Sequence, residues 1–231
     1  MQVLNATVGL VIFDCDGVLV DSEVISCRAH AETLTRHGYP ITSEQVFDRF
    51  LGRSMRKATL EIEAELGRRL PDDFHTQVYA EIFRLFAASL EATPYIDEAL
   101  AAIKLPICVA SSGPPEKIST SLNHVGLYDR FAPHIFSAVQ VRNGKPAPDL
   151  FLFAAEQMQT SPARCLVIED SLAGVTGARS AGMMVFGYHG GSHCRPSTAD
   201  TLRAAGATAT FDDMRQLPGL IDRIGTEATA N

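Results

Sequence analysis

The sequence predicts an α/β protein, a doubly wound parallel sheet with an all-helical domain inserted after the first strand. Three observations carry that expectation. Short apolar runs, most of them rich in Val and Ile, recur along the chain, as strands buried on both faces require. Amphipathic stretches separate the later runs, and strand alternating with helix is the pattern of a doubly wound sheet. Residues 22–91 break the alternation and contain no strand-like run.

In chain order the predicted strands are residues 8–13, 107–110, 134–139, 165–168, 184–188 and, more weakly, 207–211. Ile118, Leu122 and Val125 keep helical spacing, as do Leu150, Phe153, Ala154 and Met158. Within the insert, Met55, Ala58, Ile62 and Leu66 form one apolar stripe, and Val78, Ile82, Leu85 and Leu90 another. Gly38-Tyr39-Pro40 and Leu70-Pro71 punctuate three or four helices there. The expected domains are therefore 1–20 with 92–231 as the core and 21–91 as the insert. The tail from Gly225 reads as frayed.

The chain has 231 residues, enough for a large core plus a small insert. Its 46% hydrophobic and 20% charged residues are those of an ordinary globular protein. A formal charge of −7 argues against nucleic acid as the main partner, although a local cationic pocket can still take a small anion. Five cysteines without a CxxC pair, Cys108 and Cys165 inside strand-like runs, read as buried free thiols in a reducing compartment. The first apolar run lacks a basic flank and is stopped by Asp14, so neither a signal peptide nor a membrane span is expected, and the cytoplasm is the expected location.

Four segments carry candidate chemistry. Asp14-Cys15-Asp16-Gly17-Val18 directly follows the run VGLVIF. Alternate side chains of an extended backbone share a side, so Asp14 and Asp16 point together while Cys15 turns away. Carboxylates at a strand's C-terminal end lie where open α/β sheets hold ligands, and two so close need a cation or a shared proton. An acidic turn ending in Gly17 is the plainer alternative. Ser111-Ser112-Gly113 ends the run ICVA and precedes Pro114-Pro115-Glu116, with Pro115 suited to a first helical turn. A hydroxyl and free N–H groups there make a phosphate cradle, or simply an N-cap. Gly144-Lys145-Pro146-Ala147-Pro148-Asp149 is stiffened by prolines that limit where Lys145 swings. A lysine so held can neutralise a phosphate and a carboxylate together, or stand as a solvated loop charge. Glu169-Asp170-Ser171 closes the run CLVI before the small-residue helix SLAGVTGARSAG. Two more carboxylates at a strand end suit an oxygen-ligated Mg²⁺, or a helix N-cap.

Taken in order, these segments resemble the motifs of haloacid dehalogenase superfamily phosphatases with a helical C1-type cap, the subgroup of β-phosphoglucomutase-like proteins and sugar-phosphate phosphatases. The family's DxDG[TV], strand-ending Ser or Thr, KPxP-type lysine and acidic [ED]D pair match Asp14-Cys15-Asp16-Gly17-Val18, Ser111, Lys145-Pro146-Ala147-Pro148 and Glu169-Asp170. The resemblance runs from Val8 to about Phe211 and implies a Rossmann-like core bearing a small helical cap. It implies that Asp14 attacks phosphorus and becomes an aspartyl-phosphate, and that Asp16 protonates the leaving oxygen and then activates water. It implies Mg²⁺ held by the Asp14 carboxylate, the Asp16 backbone carbonyl and the Asp170 carboxylate, with Glu169 acting on a water beside the metal. Ser111, the Ser112 and Gly113 amides, and Lys145 would hold the equatorial phosphoryl oxygens.

The segment from Gly52 to Lys57 matches the family's cap specificity loop, so Arg53 and Arg56 are expected to bind a hydroxyl or second anionic group of the substrate. The expected substrate is a small phosphorylated sugar, sugar acid or polyol, and the expected state a monomer or weak homodimer. A sugar-phosphate mutase is the nearest rival. Against it, Ser26 stands where β-phosphoglucomutases carry a histidine, and Met55 where their cap-loop arginine falls. A dehalogenase would not need Asp16, a phosphonatase would replace it, and a phospho-accepting receiver domain would be about half the length without the insert. The run His189-Gly190-Gly191-Ser192-His193-Cys194 lacks zinc-site spacing and reads as a flexible loop.

Overall fold

The computed structural model describes residues 7–50 and 55–229. Strand β1, Leu10–Phe13, leads within a few residues to the helices α1 (Glu23–Arg36), α2 (Ser43–Phe50), α3 (Met55–Leu66) and α4 (Phe74–Ser89). The chain continues through α5 (Ile96–Ala102), β2 (Ile107–Ser111), α6 (Pro115–His124), α7 (Tyr128–Phe131), β3 (Ile135–Ser137), α8 (Asp149–Gln157), β4 (Cys165–Glu169) and α9 (Leu172–Ser180). It ends with β5 (Met184–Tyr188), α10 (Thr198–Ala204), β6 (Ala209–Phe211) and α11 (Leu217–Thr229).

Among the described residues six strands form one sheet in the order β3-β2-β1-β4-β5-β6, every pairing parallel. The doubly wound α/β fold is thus present. From β1 the chain winds outward through β2 and β3, then returns to lay β4 against the other side of β1. That reversal opens a crevice at the C-terminal ends of β1 and β4, the usual ligand position in such sheets.

Burial on both faces explains why the strands are legible as apolar runs. All four residues of β1 are buried. Leu10 and Ile12 join Cys108, Ala110, Cys165, Val167 and Val185 in one core layer under Leu150, Phe151 and Val175 of α8 and α9. On the opposite face the Phe13 ring meets Phe131 of α7 edge to face, with centroids 6.0 Å apart. β2 and β4 each run one residue past their apolar stretch, to Ser111 and Glu169, and both residues are fully buried.

Residues Ser22–Glu91 form one compact unit, and the rest of the chain another. Inside the helical unit α1 packs along α4. Leu34 and Cys27 of α1, and Val78, Ile82 and Leu85 of α4, are buried, as are Ala58 and Ile62 of α3. Arg49 of α2 donates to Glu61 (3.1 Å) and Glu65 (2.5 Å) of α3, an exposed network of small energetic weight. Two local expectations are corrected in the larger unit. α11 continues to Thr229, past Gly225 where fraying was expected. The segment after β5 is not a loose loop, as its contacts show below.

Candidate active site

Asp14 is the first residue after β1, its N–H bonded to the Ile168 carbonyl of β4 at 3.0 Å. That bond places its side chain in the crevice between the two strands. Asp14 and Cys15 are buried, and Asp16 is partly accessible. Gly17 has φ +79°, and a Cβ there would overlap the Asp170 carboxylate and lie 2.9 Å from the His193 ring. Glycine is needed for both reasons.

Lys145 joins two carboxylates. Its Nζ donates to Asp14 Oδ1 and to Glu169 Oε1, each at 2.6 Å, and its side chain is only 4% exposed. The ammonium also lies 5.2 Å from the centre of the Phe151 ring. Glu169 is fixed at its other oxygen, where Oε2 accepts from Ser171 N (3.1 Å) and Ser171 Oγ (2.9 Å). The same Ser171 hydroxyl accepts from Gly174 N at 3.0 Å and so caps α9. Asp14, Glu169 and Asp170 each present one oxygen, and these lie within 4.8 Å of one another.

Ser111 ends β2 beside β1, with its hydroxyl accepting from Gly113 N at 3.0 Å. The Gly113 amide is therefore engaged inside its own loop. The Gly113 carbonyl accepts from Ser137 Oγ at 2.6 Å. A Cβ on Gly113 would lie 3.6 Å from Asp16 Oδ2, so this loop borders Asp16. Ser112 sits in an exposed bend at the mouth of the same loop. Arg53 lies outside the described residues. Arg56 falls in α3, and its side chain is likewise outside them.

Burial pushes the Asp14 carboxyl well above the usual range; Lys145 opposes that shift, while Glu169, Asp170 and Asp16 add to it. Burial also raises Asp170, against a hydrogen bond from His193. Burial would lower Lys145, but Asp14 and Glu169 outweigh it, so its pKa stands above the ordinary ammonium value. The crevice thus holds more negative charge than Lys145 alone offsets.

A family model described as haloacid dehalogenase-like hydrolase matches residues 8–182. The chain belongs to this family. A 6-phosphogluconate phosphatase of Escherichia coli (strain K12) is 35% identical over 221 residues, covering 95% of this chain and 97% of that protein. Among solved structures, a haloacid dehalogenase-like protein of unknown function from Agrobacterium tumefaciens superposes with a TM-score of 0.82 at 38% identity, covering 94% of this chain and 99% of that one. A putative β-phosphoglucomutase from Thermotoga maritima gives 0.75 at 29% identity, covering 93% and 98%. As a haloacid dehalogenase-like hydrolase, the chain carries the four motifs where the resemblance puts them, at the ends of β1, β2 and β4 and in the loop before α8.

Two polar residues of the crevice escaped the sequence reading. Lys117, on the buried face of α6, donates to Asp16 Oδ1 at 2.5 Å, with both side chains little exposed. Its signal in the sequence was faint: a lysine next to Ile118, on the helix that starts at the Ser111 loop. His193, in the run set aside as a flexible loop, donates from Nε2 to Asp170 Oδ2 at 2.9 Å. Burial would lower the imidazole, but the Asp170 hydrogen bond and Cys194 prevail and raise it to about 11. No spacing rule pointed to it, because its partner is distant in sequence.

Proposed function

We propose that this hydrolase is a Mg²⁺-dependent phosphatase of small phosphorylated metabolites, a sugar, sugar-acid or polyol phosphate, working through an aspartyl-phosphate on Asp14. The single observation that carries the reading is Asp14 itself. It is a buried carboxylate at the end of β1, held by Lys145 and bordered by Asp16, Glu169 and Asp170. The donor set is all hard oxygen, and one oxygen from each of the buried Asp14, Glu169 and Asp170 lies within 4.8 Å of the others, so the residues fit Mg²⁺. Asp14, the Asp16 backbone carbonyl and Asp170 are the groups assigned to hold it. When bound, Mg²⁺ supplies positive charge against the phosphoryl oxygens and the anionic nucleophile.

Each side chain then has a task its contacts support. Lys145 fixes one Asp14 oxygen and neutralises charge as a phosphoryl group approaches, the other Asp14 oxygen attacking phosphorus in line. Glu169, bonded at both oxygens, orients Lys145 and so serves the lysine first. Ser111 and the Ser112 backbone face the equatorial oxygens, where transition-state charge accumulates. Asp16 gives a proton to the departing oxygen and, once ionised, takes one from the water that cleaves the aspartyl-phosphate. The helical unit, with Arg53 and Arg56, is assigned to substrate selection. The cytoplasm is the assigned location, and the protein acts as a monomer or weak homodimer.

The mutase alternative shares this core, so the decision lies elsewhere. At Ser26 of α1 the hydroxyl is buried and, among the described residues, without a hydrogen-bond partner. A serine there does not offer the ionisable group a histidine would. One experiment tests both points: a screen of phosphorylated metabolites, β-glucose 1-phosphate included, with Mg²⁺, on the native chain and Asp14→Asn. The native chain is expected to release inorganic phosphate, and Asp14→Asn to remain folded and inactive. Turnover by Asp14→Asn within about tenfold of native refutes the covalent route, since an amide forms no acyl-phosphate. Glucose 6-phosphate appearing ahead of phosphate makes the protein a mutase.

A further inference from the structure

We propose that His193 is a positioning residue for the metal, fixing Asp170 through one oxygen and biasing the site toward Mg²⁺ over Ca²⁺. The inference rests on the metal reading above. His193 lies on the loop after β5, far in sequence from any acidic motif. Its side chain is 7% exposed and that of Asp170 is 5% exposed, so the bond between them is made away from water. Two glycines make the slot for the ring. A Cβ on Gly17 would lie 2.9 Å from His193 Cε1, and one on Gly191 would lie 2.7 Å from Cε1 and 2.8 Å from Nδ1.

The loop that carries the ring is itself fastened. Asp21 Oδ1 accepts from Ser192 Oγ at 2.8 Å and from Ser192 N at 3.3 Å. Cys194 N donates to the Gly191 carbonyl at 2.9 Å, and the Cys194 sulfur lies 3.5 Å from His193 Nε2. Gly190 is wedged against the Asp212 backbone and the Tyr188 hydroxyl, leaving no room for a Cβ. Nδ1 is buried and, among the described residues, unpartnered, so Asp170 is the carboxylate that this ring serves. The task needs only an N–H at Nε2, which neutral imidazole supplies.

The consequence for the cation follows from carboxylate geometry. Oδ2 of Asp170 is committed to His193, and the other oxygen remains for a cation shared with Asp14. A carboxylate held this way ligates through one oxygen, as the tight octahedron of Mg²⁺ requires. Ca²⁺ takes more oxygens and often chelates a carboxylate through both. Outer partners of this kind change metal affinity by about 10- to 100-fold when removed.

The test is calorimetric titration of Mg²⁺ and of Ca²⁺ into the full chain, native and as His193→Leu, His193→Gln and Asp170→Asn, with thermal melts to confirm folding. His193→Leu keeps the bulk without a donor and is expected to weaken Mg²⁺ binding by about tenfold or more and to narrow the Mg²⁺ to Ca²⁺ preference. His193→Gln, whose amide can place an N–H near the Nε2 position, is expected to retain most of both. If His193→Leu does not fold, His193→Asn, whose amide stops short of Asp170, replaces it in the comparison. Native-like Mg²⁺ affinity and selectivity in the donor-less variant overturns the proposal, while loss of binding in Asp170→Asn leaves the metal reading standing. No Mg²⁺ binding by the native chain overturns both.

Discussion

Two lysines divide the two aspartates of the first motif. Lys145 bonds Asp14, and Lys117 bonds Asp16 at 2.5 Å. The Lys117 ammonium holds one Asp16 oxygen, leaving the other to take a proton from water in the second half of the reaction. Lys117→Met removes that hold without adding charge, and the expected defect is slow cleavage of the aspartyl-phosphate. With p-nitrophenyl phosphate, whose leaving group departs without a proton, the variant should show a rapid burst of one p-nitrophenol per site. A slow steady state should follow, lower by about tenfold or more within the range of general-base effects. kcat and KM should fall together, because a shared slow second step limits both. Steady-state rates within a factor of about two of native, with no burst, would show that Lys117 serves the fold alone.

At the scale of elements, the junction between β4 and α9 concentrates the site. Glu169 ends the strand, Ser171 caps the helix, and Gly174 lies in the helix's first turn with its Cα directly against the Glu169 carboxylate. Propensity alone makes Gly→Ala in a helix stabilising by about 0.5–1 kcal/mol. Here a Cβ would overlap the carboxylate, and the neighbour is a fully buried group with both oxygens bonded. Gly174→Ala is therefore expected to lower the melting temperature and to cut kcat by displacing Lys145; a raised melting temperature with native kcat would refute this. The same junction shows how far the sequence could be read. Strands buried on both faces leave apolar runs, so β1, β2, β4 and β5 were visible within a residue or two. Their last positions, Ser111 and Glu169, were read as closing the strands, one residue beyond the apolar runs, and the strands indeed end there. α5 and α11 were missed, one because it is short and the other because Pro218 and Gly219 obscure its start. Asp14, Asp16, Lys145 and Asp170 were legible because each sits beside a strand end or in a proline-stiffened loop. Lys117 and His193 were not, because helix periodicity counts a lysine as surface and a loop histidine shows its partner only once the chain is folded.

For the whole molecule the relevant quantity is how the crevice couples metal, protons and stability. Asp14 and Asp170 both have raised folded-state values, chiefly from burial. Above the ordinary carboxylate range, the folded protein therefore holds protons that the unfolded chain has released. Stability then falls as pH rises through that window. His193 acts in the same direction in chelator-treated protein: its folded value of about 11 exceeds the unfolded one. The stability its proton contributes is full below the unfolded imidazole value and is lost as pH rises through about 11. Mg²⁺ reverses the trend for the carboxylates, because it binds their ionised forms and only in the folded arrangement, and so displaces fewer protons at higher pH. The gap in melting temperature between Mg²⁺-loaded and EDTA-treated protein should accordingly widen from about pH 5 to about pH 8, across the carboxylate and imidazole range. At about a hundredfold excess over its Kd the ion adds about 2.7 kcal/mol, roughly 5–10 °C for a chain of this size. Scanning calorimetry across that range decides the matter. A gap that stays constant or closes as pH rises would mean that the crevice carboxylates are already ionised and balanced without the ion, and the metal assignment would lose its electrostatic basis.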